Sequence, residues 1–534
     1  MPDALLPPMK WNAWGDPHAA KPLPEGIRSL LSQALGVTGS PAAELDADQV
    51  RLLPSELTSG HREALAAIVG PDYCRGDDRD RLLHAGGKST LDLLRRNTSA
   101  VQEAPDAVLL PGTDDEVAAI LRYCSQHGIA VVPFGGGTSV VGGLDPIRGE
   151  FDAVVSLDLR RFDQLLAFDE VSGEAEFGTG VTGPRAEQLL GEHGFSLGHF
   201  PQSFEFASLG GFAATRSSGQ DSAGYGRFDD MIRGLRAITP AGVLELGRAP
   251  QSAAGPDLRQ LLIGSEGVFG IITRVRVRVH PAPQATRYEA WSFTDFATGT
   301  AALRAVTQTG AGPTVIRLSD EAETGVNLAT TETIGETQIT GGCLAITVFE
   351  GTAAHADSRH AETRELMAAL GGTSLGEAPA RAWETGRFNA PYLRDSLLAA
   401  GALCETLETA TDWSNIPALK AAVTDALTGA LAESGTPALV LCHISHVYAT
   451  GASLYFTVVA GQRGNPIEQW RAAKAAACDA IMATGGTITH HHAVGADHRP
   501  WMRDEVGVLG VEVLRAVKST LDPAGILNPG KLIP

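Results

Sequence analysis

An apolar stretch at 129–133 runs straight into three consecutive glycines: Pro133-Phe134-Gly135-Gly136-Gly137-Thr138-Ser139. Three adjacent residues without Cβ let backbone N–H groups converge on one point, and two hydroxyls add donors. That is what cradling a diphosphate requires. A lone triple glycine is as often a tight turn, but this one has company. Ser208-Leu209-Gly210-Gly211 leads into Thr215-Arg216-Ser217-Ser218, and Glu266-Gly267-Val268 follows Gly264-Ser265 and runs on to Gly270-Ile271-Ile272. Three such loops in one α/β stretch predict a long ligand with a diphosphate at its middle and a ring system at each end. Two common alternatives fail on spacing. No early strand is followed by G-x-G-x-x-G, and Gly86-Gly87-Lys88-Ser89-Thr90 lacks the first glycine of a P-loop, Leu82 standing in its place.

The loops sit in alternating strands and helices. The strand at 107–111 is followed by a capping box, Thr113 with Glu116, and a helix that runs to His127 and stops at Gly128. Further strands are predicted at 153–157 and 275–279. Beyond 283 the glycine clusters thin out. Helices at 298–309, 355–370 and 416–431, a strand at 343–349 and two strands within 438–460 predict a second, α+β unit. Helices at 470–483 and 506–521 precede the tail. A chain of 534 residues exceeds what one core usually covers. We divide it into a helical lead-in (1–100), a ligand domain (101–283), a cap (284–483) and a segment returning to the ligand domain (484–534).

Net charge −20 argues against nucleic acid as a partner. The six cysteines are scattered without metal spacing, which predicts reduced, buried thiols. The first residues lack the basic-then-apolar pattern of a signal peptide, and no apolar run approaches the roughly 20 residues of a membrane span. A cytoplasmic location is expected.

The glycine loops resemble those of the FAD-linked oxidases of the vanillyl-alcohol oxidase and p-cresol methylhydroxylase type. Within that superfamily the chain looks most like the alkyldihydroxyacetonephosphate synthases. The carrying segments are Met9-Lys10-Trp11-Asn12-Ala13-Trp14-Gly15, Ile316-Arg317-Leu318, Tyr392-Leu393-Arg394-Asp395, Tyr448-Ala449-Thr450-Gly451-Ala452, His490-His491-His492-Ala493-Val494-Gly495 and the tail Gly525-Ile526-Leu527-Asn528-Pro529-Gly530-Lys531. The resemblance implies an α+β, two-domain flavoprotein: an FAD-binding PCMH-type domain, an α+β cap and a helical N-terminal region. FAD contacts would fall on Pro133 to Ser139, on Gln202, Ser203, Ser208, Gly210 and Gly211, on Thr215 to Ser218, and on Glu266, Gly267, Val268, Gly270, Ile271 and Ile272. The first glycine loop holds no His or Cys, so the FAD is expected to be non-covalent. The implied chemistry exchanges the acyl group of acyl-dihydroxyacetone phosphate for a fatty alcohol, without net redox change, the flavin holding the three-carbon unit as an adduct. A lipid substrate, peripheral membrane contact and a homodimer are implied with it.

Tyr448 is similar in position to that family's acid/base tyrosine; without the family it reads as a core tyrosine on a strand. Arg394 would clamp the substrate phosphate, although an arginine on a helix is usually a solvated charge. Arg317 stands between Ile316 and Leu318 in an apolar strand, where a charge must be paired or face a ligand. His490, His491 and His492 are read as a loop that lays imidazoles against the flavin for proton handling. Three adjacent histidines cannot all face one way, so at most two of them would hold a metal, and none is expected. The rival is a flavin dehydrogenase of 2-hydroxy acids. Such relatives carry metal-binding H-x-G-D-G-N and G-E-H-G segments. Here those regions read Ser445-His446-Val447-Tyr448 and Thr489-His490-His491-His492: His446 remains, but the acidic and amide partners are gone. The first region also departs from the synthases, which have Thr-Gln-Thr-Tyr, so an extra histidine enters the site.

Overall fold

A computed structural model describes residues 9–20, 22–37, 45–326 and 342–534. Residues 1–8, which carry the signal-peptide reading, lie outside them.

The glycine loops are held by two sheets. Strands Ala107–Leu109, Ala153–Asp158 and Ile129–Phe134 pair in parallel, with Cys74–Arg75 antiparallel at the edge. The helix Asp114–His127 covers this sheet as predicted: Thr113 Oγ1 accepts the amide of Glu116 at 3.2 Å, and Gly128 adopts a left-handed φ of 61° at the end. Glu116 differs from a capping box in one detail, taking the amide of Gly112 instead. The second sheet is antiparallel, in the order 242–246, 232–239, 271–278, 174–178 and 165–169.

The cap is one antiparallel sheet of seven strands, in the order 373–376, 285–293, 343–351, 315–319, 438–447, 451–461 and 402–412. Its period-2 alternation sorts the side chains onto two faces. Ile316, Leu318, Cys442, Ile444, Leu454, Phe456, Leu403 and Leu407 point to one face, where helices 296–309, 353–369, 416–433 and 466–483 bury them. The intervening residues Arg317, Leu441, His443, Ser445, Tyr455, Thr457, Cys404 and Thr406 point the other way, into the cavity between cap and ligand domain.

The first hundred residues serve both units. Leu57, Leu65 and Val69 pack into the core of the parallel sheet. Ile27, Leu31 and Leu35 pack against Leu397, Ala402, Cys404 and Val459 of the cap. The tail returns to the ligand domain, where the Val131 amide donates to the Ile526 carbonyl and the Val131 carbonyl accepts the amide of Asn528, astride Leu527. No described helix is long and apolar enough to cross a membrane.

Candidate active site

A cavity of about 380 Å³ runs between the domains. All three glycine loops line it, and no described residue accepts the amide protons of Gly135 through Ser139. Five unpartnered amides in sequence, with the Thr138 and Ser139 side chains beside them, fit a diphosphate. Gln202 Nε2 and Gln220 Oε1, on residues that line the same cavity, are buried and also without a partner among the described residues. Buried polar groups are nearly always bonded, so these too fit a polar ligand. The residues present therefore suit FAD.

The glycines answer a second need. A Cβ on Gly136 would lie 2.0 Å from the Phe206 carbonyl, one on Gly267 would lie 2.2 Å from Pro133, and one on Gly210 would lie 2.7 Å from Thr179. The loops are packed against one another with no room for a Cβ at these positions, and that packing shapes the cavity. Gly136→Ala is accordingly expected to yield protein without flavin, measured as the ratio of flavin to protein absorbance after purification.

Most of the predicted contacts line the cavity, but two turn away. Arg216 ends a short helix at φ 52° and spends its guanidinium on Asp229 and the Gln260 carbonyl. Val268 is buried in the hydrophobic core behind the loop. Glu266 does reach the wall, yet its carboxylate accepts the amides of Val494 and Gly495 and so ties the histidine loop to the third glycine loop. The P-loop lookalike is structural. Lys88 is buried and donates to the carbonyls of Lys10 and Trp11.

Arg317 lines the cavity and donates from Nη2 to Glu323 at 2.5 Å, while its Nε is buried and unpartnered among the described residues. It is thus both paired and directed at the ligand space. Glu323 was not legible as a site residue. It also accepts from Ser319 Oγ and pairs with His443 Nδ1, both at 2.8 Å. Burial alone would raise its pKa; His443 and Arg317 instead bring it down to about 2. Its folded value lies below its unfolded one, so it contributes stability above about pH 4.5 that is lost as pH falls toward 2. Melting temperature should therefore fall more steeply across that window in the parent protein than in Glu323→Gln, as thermal scans at stepped pH would show.

Arg394 is a buried helix arginine, not a solvated one. It lines the cavity, but three of its N–H groups are already used: Nη1 on the Lys88 carbonyl, Nε and Nη2 on Asp395. Asp395 in turn accepts the amide of Trp14, which also lines the cavity. Arg394 therefore anchors the N-terminal segment as well as facing the ligand space.

The triple histidine is a loop, as expected, and the reason it holds shape is Glu408. This fully buried carboxylate accepts the amides of His490, His491 and His492 at 2.6, 3.1 and 2.8 Å, and the Thr489 hydroxyl at 2.6 Å. Burial would raise its pKa, but the imidazoles of His491, His492 and His490 hold it well below the usual carboxylate range. His491 and His492 line the cavity; His490 stands behind them. Tyr448 is not on a strand but at the hairpin turn between 447 and 451. Its hydroxyl is 2.5 Å from His490 Nε2, and His490 Nδ1 is 2.9 Å from His491 Nδ1. Ser218, on the cavity wall, and Arg227 flank the phenol. Burial raises the phenol to about 12 and depresses His490 and His491 to about 4, so at neutral pH all three are uncharged.

The comparisons with known proteins decide the family. A model described as "FAD binding domain" matches residues 105–247, and one described as "FAD linked oxidases, C-terminal domain" matches 282–532. The alkyldihydroxyacetonephosphate synthase of Trypanosoma brucei brucei is 33% identical over 98% of this chain and 92% of its own. The chain belongs to the alkyldihydroxyacetonephosphate synthase family. A solved structure titled alkyldihydroxyacetonephosphate synthase is 31% identical, with a TM-score of 0.82 over 98% of both chains. p-Cresol methylhydroxylase with substrate bound, 16% identical, aligns at TM-score 0.68 over 90% of this chain and 98% of that one, a likeness of fold alone. The chain is an FAD-dependent enzyme of the PCMH-type fold. The family likeness favours the synthase reading over the 2-hydroxy-acid dehydrogenase.

Proposed function

We propose that this enzyme exchanges the acyl group of acyl-dihydroxyacetone phosphate for a long-chain alcohol, forming the ether bond of alkyl-dihydroxyacetone phosphate. The observation that carries this is the composition of one cavity. Free backbone amides fill one wall, Arg317 and Arg394 enter from the cap, and Trp14, Leu393, Leu397, Leu441 and Val459 give an apolar wall suited to an alkyl chain. The balance needs no external oxidant: the C–O bond to the carboxylate breaks, the C–O bond to the alcohol forms, and the alcohol proton leaves with the fatty acid.

FAD supplies an electrophilic ring able to hold the three-carbon unit between the two events. The chain's own residues place the substrate and move protons. Arg317, held at Nη2 by Glu323, faces the cavity where the anionic end would lie. The distances order a relay. A proton taken at the Tyr448 hydroxyl releases the phenolic proton to His490 Nε2, and the proton on His490 Nδ1 passes to His491 Nδ1. The positive charge then rests on His491, 3.6 Å from the Glu408 carboxylate. Moving charge onto a pre-placed counter-ion needs little reorganisation.

The test is anaerobic. The flavin-loaded protein is mixed with acyl-dihydroxyacetone phosphate and hexadecanol, and products and flavin spectrum are followed. Released fatty acid matched by ether product, with no lasting flavin reduction, supports the reading. Flavin bleached by a 2-hydroxy acid, with no ether formed, overturns it.

A further inference from the structure

His446, His490 and His491 come from two distant segments, yet one ring nitrogen from each lies within 4.8 Å of the others. Zn–N bonds of about 2.0–2.1 Å at tetrahedral angles place donors roughly 3.3 Å apart. His490 Nδ1 and His491 Nδ1 are already at 2.9 Å, and the His446 nitrogen, within 4.8 Å of both, would complete the set by side-chain rotation. Two of these residues come from the triple histidine and the third from the hairpin strand 438–447.

The surroundings are those of a built site. Metal-binding imidazoles are held through their other nitrogen. His446 Nδ1 is bonded to Ser222 Oγ at 2.7 Å and Ser218 Oγ at 3.1 Å, which leaves Nε2 for a cation. His490 Nε2 is held by Tyr448. Glu408 supplies a buried negative charge beneath the loop, and the nearby Arg227 is tied to Asp229 at 3.0 Å. His446 and His491 both line the cavity, so the fourth position opens onto it.

We propose that His446, His490 and His491 form a three-imidazole site for a borderline divalent cation of the zinc class, open to the cavity at its fourth position. Imidazole donors select zinc, cobalt and nickel over magnesium or calcium. The cation occupies the space of the proton shared by His490 and His491. Occupancy and the proton relay therefore exclude one another, and the ion acts as an off-switch. That second half rests on the proposed synthase reaction; binding itself does not.

The probe is Co²⁺, whose tetrahedral complexes absorb to the red of the flavin bands. Chelator-treated, flavin-loaded protein is titrated while absorbance and fatty-acid release are recorded together. The expected result is one tetrahedral Co²⁺ per chain, displaced by Zn²⁺, with release falling in proportion to occupancy. His446→Gln should lose the Co²⁺ spectrum and with it the inhibition. Ser222→Ala should weaken Co²⁺ about 10-fold by removing the shorter of the two bonds that hold the imidazole. If the folded, flavin-loaded parent shows no tetrahedral Co²⁺, or His446→Gln binds it undiminished, the site is refuted. Full Co²⁺ occupancy with unchanged fatty-acid release refutes the switch, and a protein inactive in all conditions that still binds Co²⁺ places the failure in the synthase reading instead.

Discussion

Tyr448→Phe is expected to keep its flavin and lose turnover by about 10²–10⁴-fold, the usual contribution of a positioned proton-transfer group. The ring stays, so the hairpin turn keeps its packing. What disappears is the hydroxyl 2.5 Å from His490 Nε2, the first link of the relay to His491. Because the phenol contributes no charge to substrate binding at neutral pH, KM should move far less than kcat. Steady-state fatty-acid release, with flavin content measured on the same sample, separates the outcomes. Unchanged kcat would remove Tyr448 from the relay, and loss of flavin would make its role structural.

Glu408→Ala should strongly destabilise the cap. Three backbone amides and the Thr489 hydroxyl would lose their acceptor inside the protein. Stranding a buried polar network of this kind costs on the order of 3–5 kcal/mol. The histidine loop would lose its shape, so turnover should go with it. Glu408→Gln keeps an acceptor oxygen but not the charge, and should cost less stability while still impairing a relay that ends in positive charge. Denaturant titrations of the three proteins would rank parent above Gln above Ala. A stable Ala variant would show that the loop is held elsewhere, with Glu266 at Val494 and Gly495 the first place to look.

Local chemistry made part of this legible in advance. The helix 114–127 announces its ends through Thr113 and Gly128, and the three glycine loops announce a ligand by recurring. Arg317 stood out because a lone charge in an apolar strand needs a reason. The groups that sequence reasoning missed share one property: they work through partners far away in the chain. Glu408 sits in a strand of mixed sequence, Cys404-Glu405-Thr406-Leu407-Glu408-Thr409, and the amides it accepts lie some eighty residues on, at 490–492. Glu323 acquires meaning only beside Arg317 and His443, and Arg227 only beside Tyr448. The glycines were read correctly as positions needing no Cβ, but half the cause was hidden. At Gly136 and Gly267 the obstructing atoms belong to other loops, which no local pattern shows. Without the family Tyr448 reads as a strand residue, since 438–460 reads as two strands; the structure puts it in the turn that joins them, before Gly451.

The most direct measurement is ether formation from labelled alcohol. Flavin-loaded enzyme is incubated anaerobically with acyl-dihydroxyacetone phosphate and hexadecanol carrying ¹⁸O in its hydroxyl, and the lipid product is analysed by mass spectrometry. The expected result is an alkyl ether that retains the ¹⁸O, one fatty acid released per ether, and oxidised flavin at the end. Fatty acid released without ether, or ether lacking the label, would contradict it.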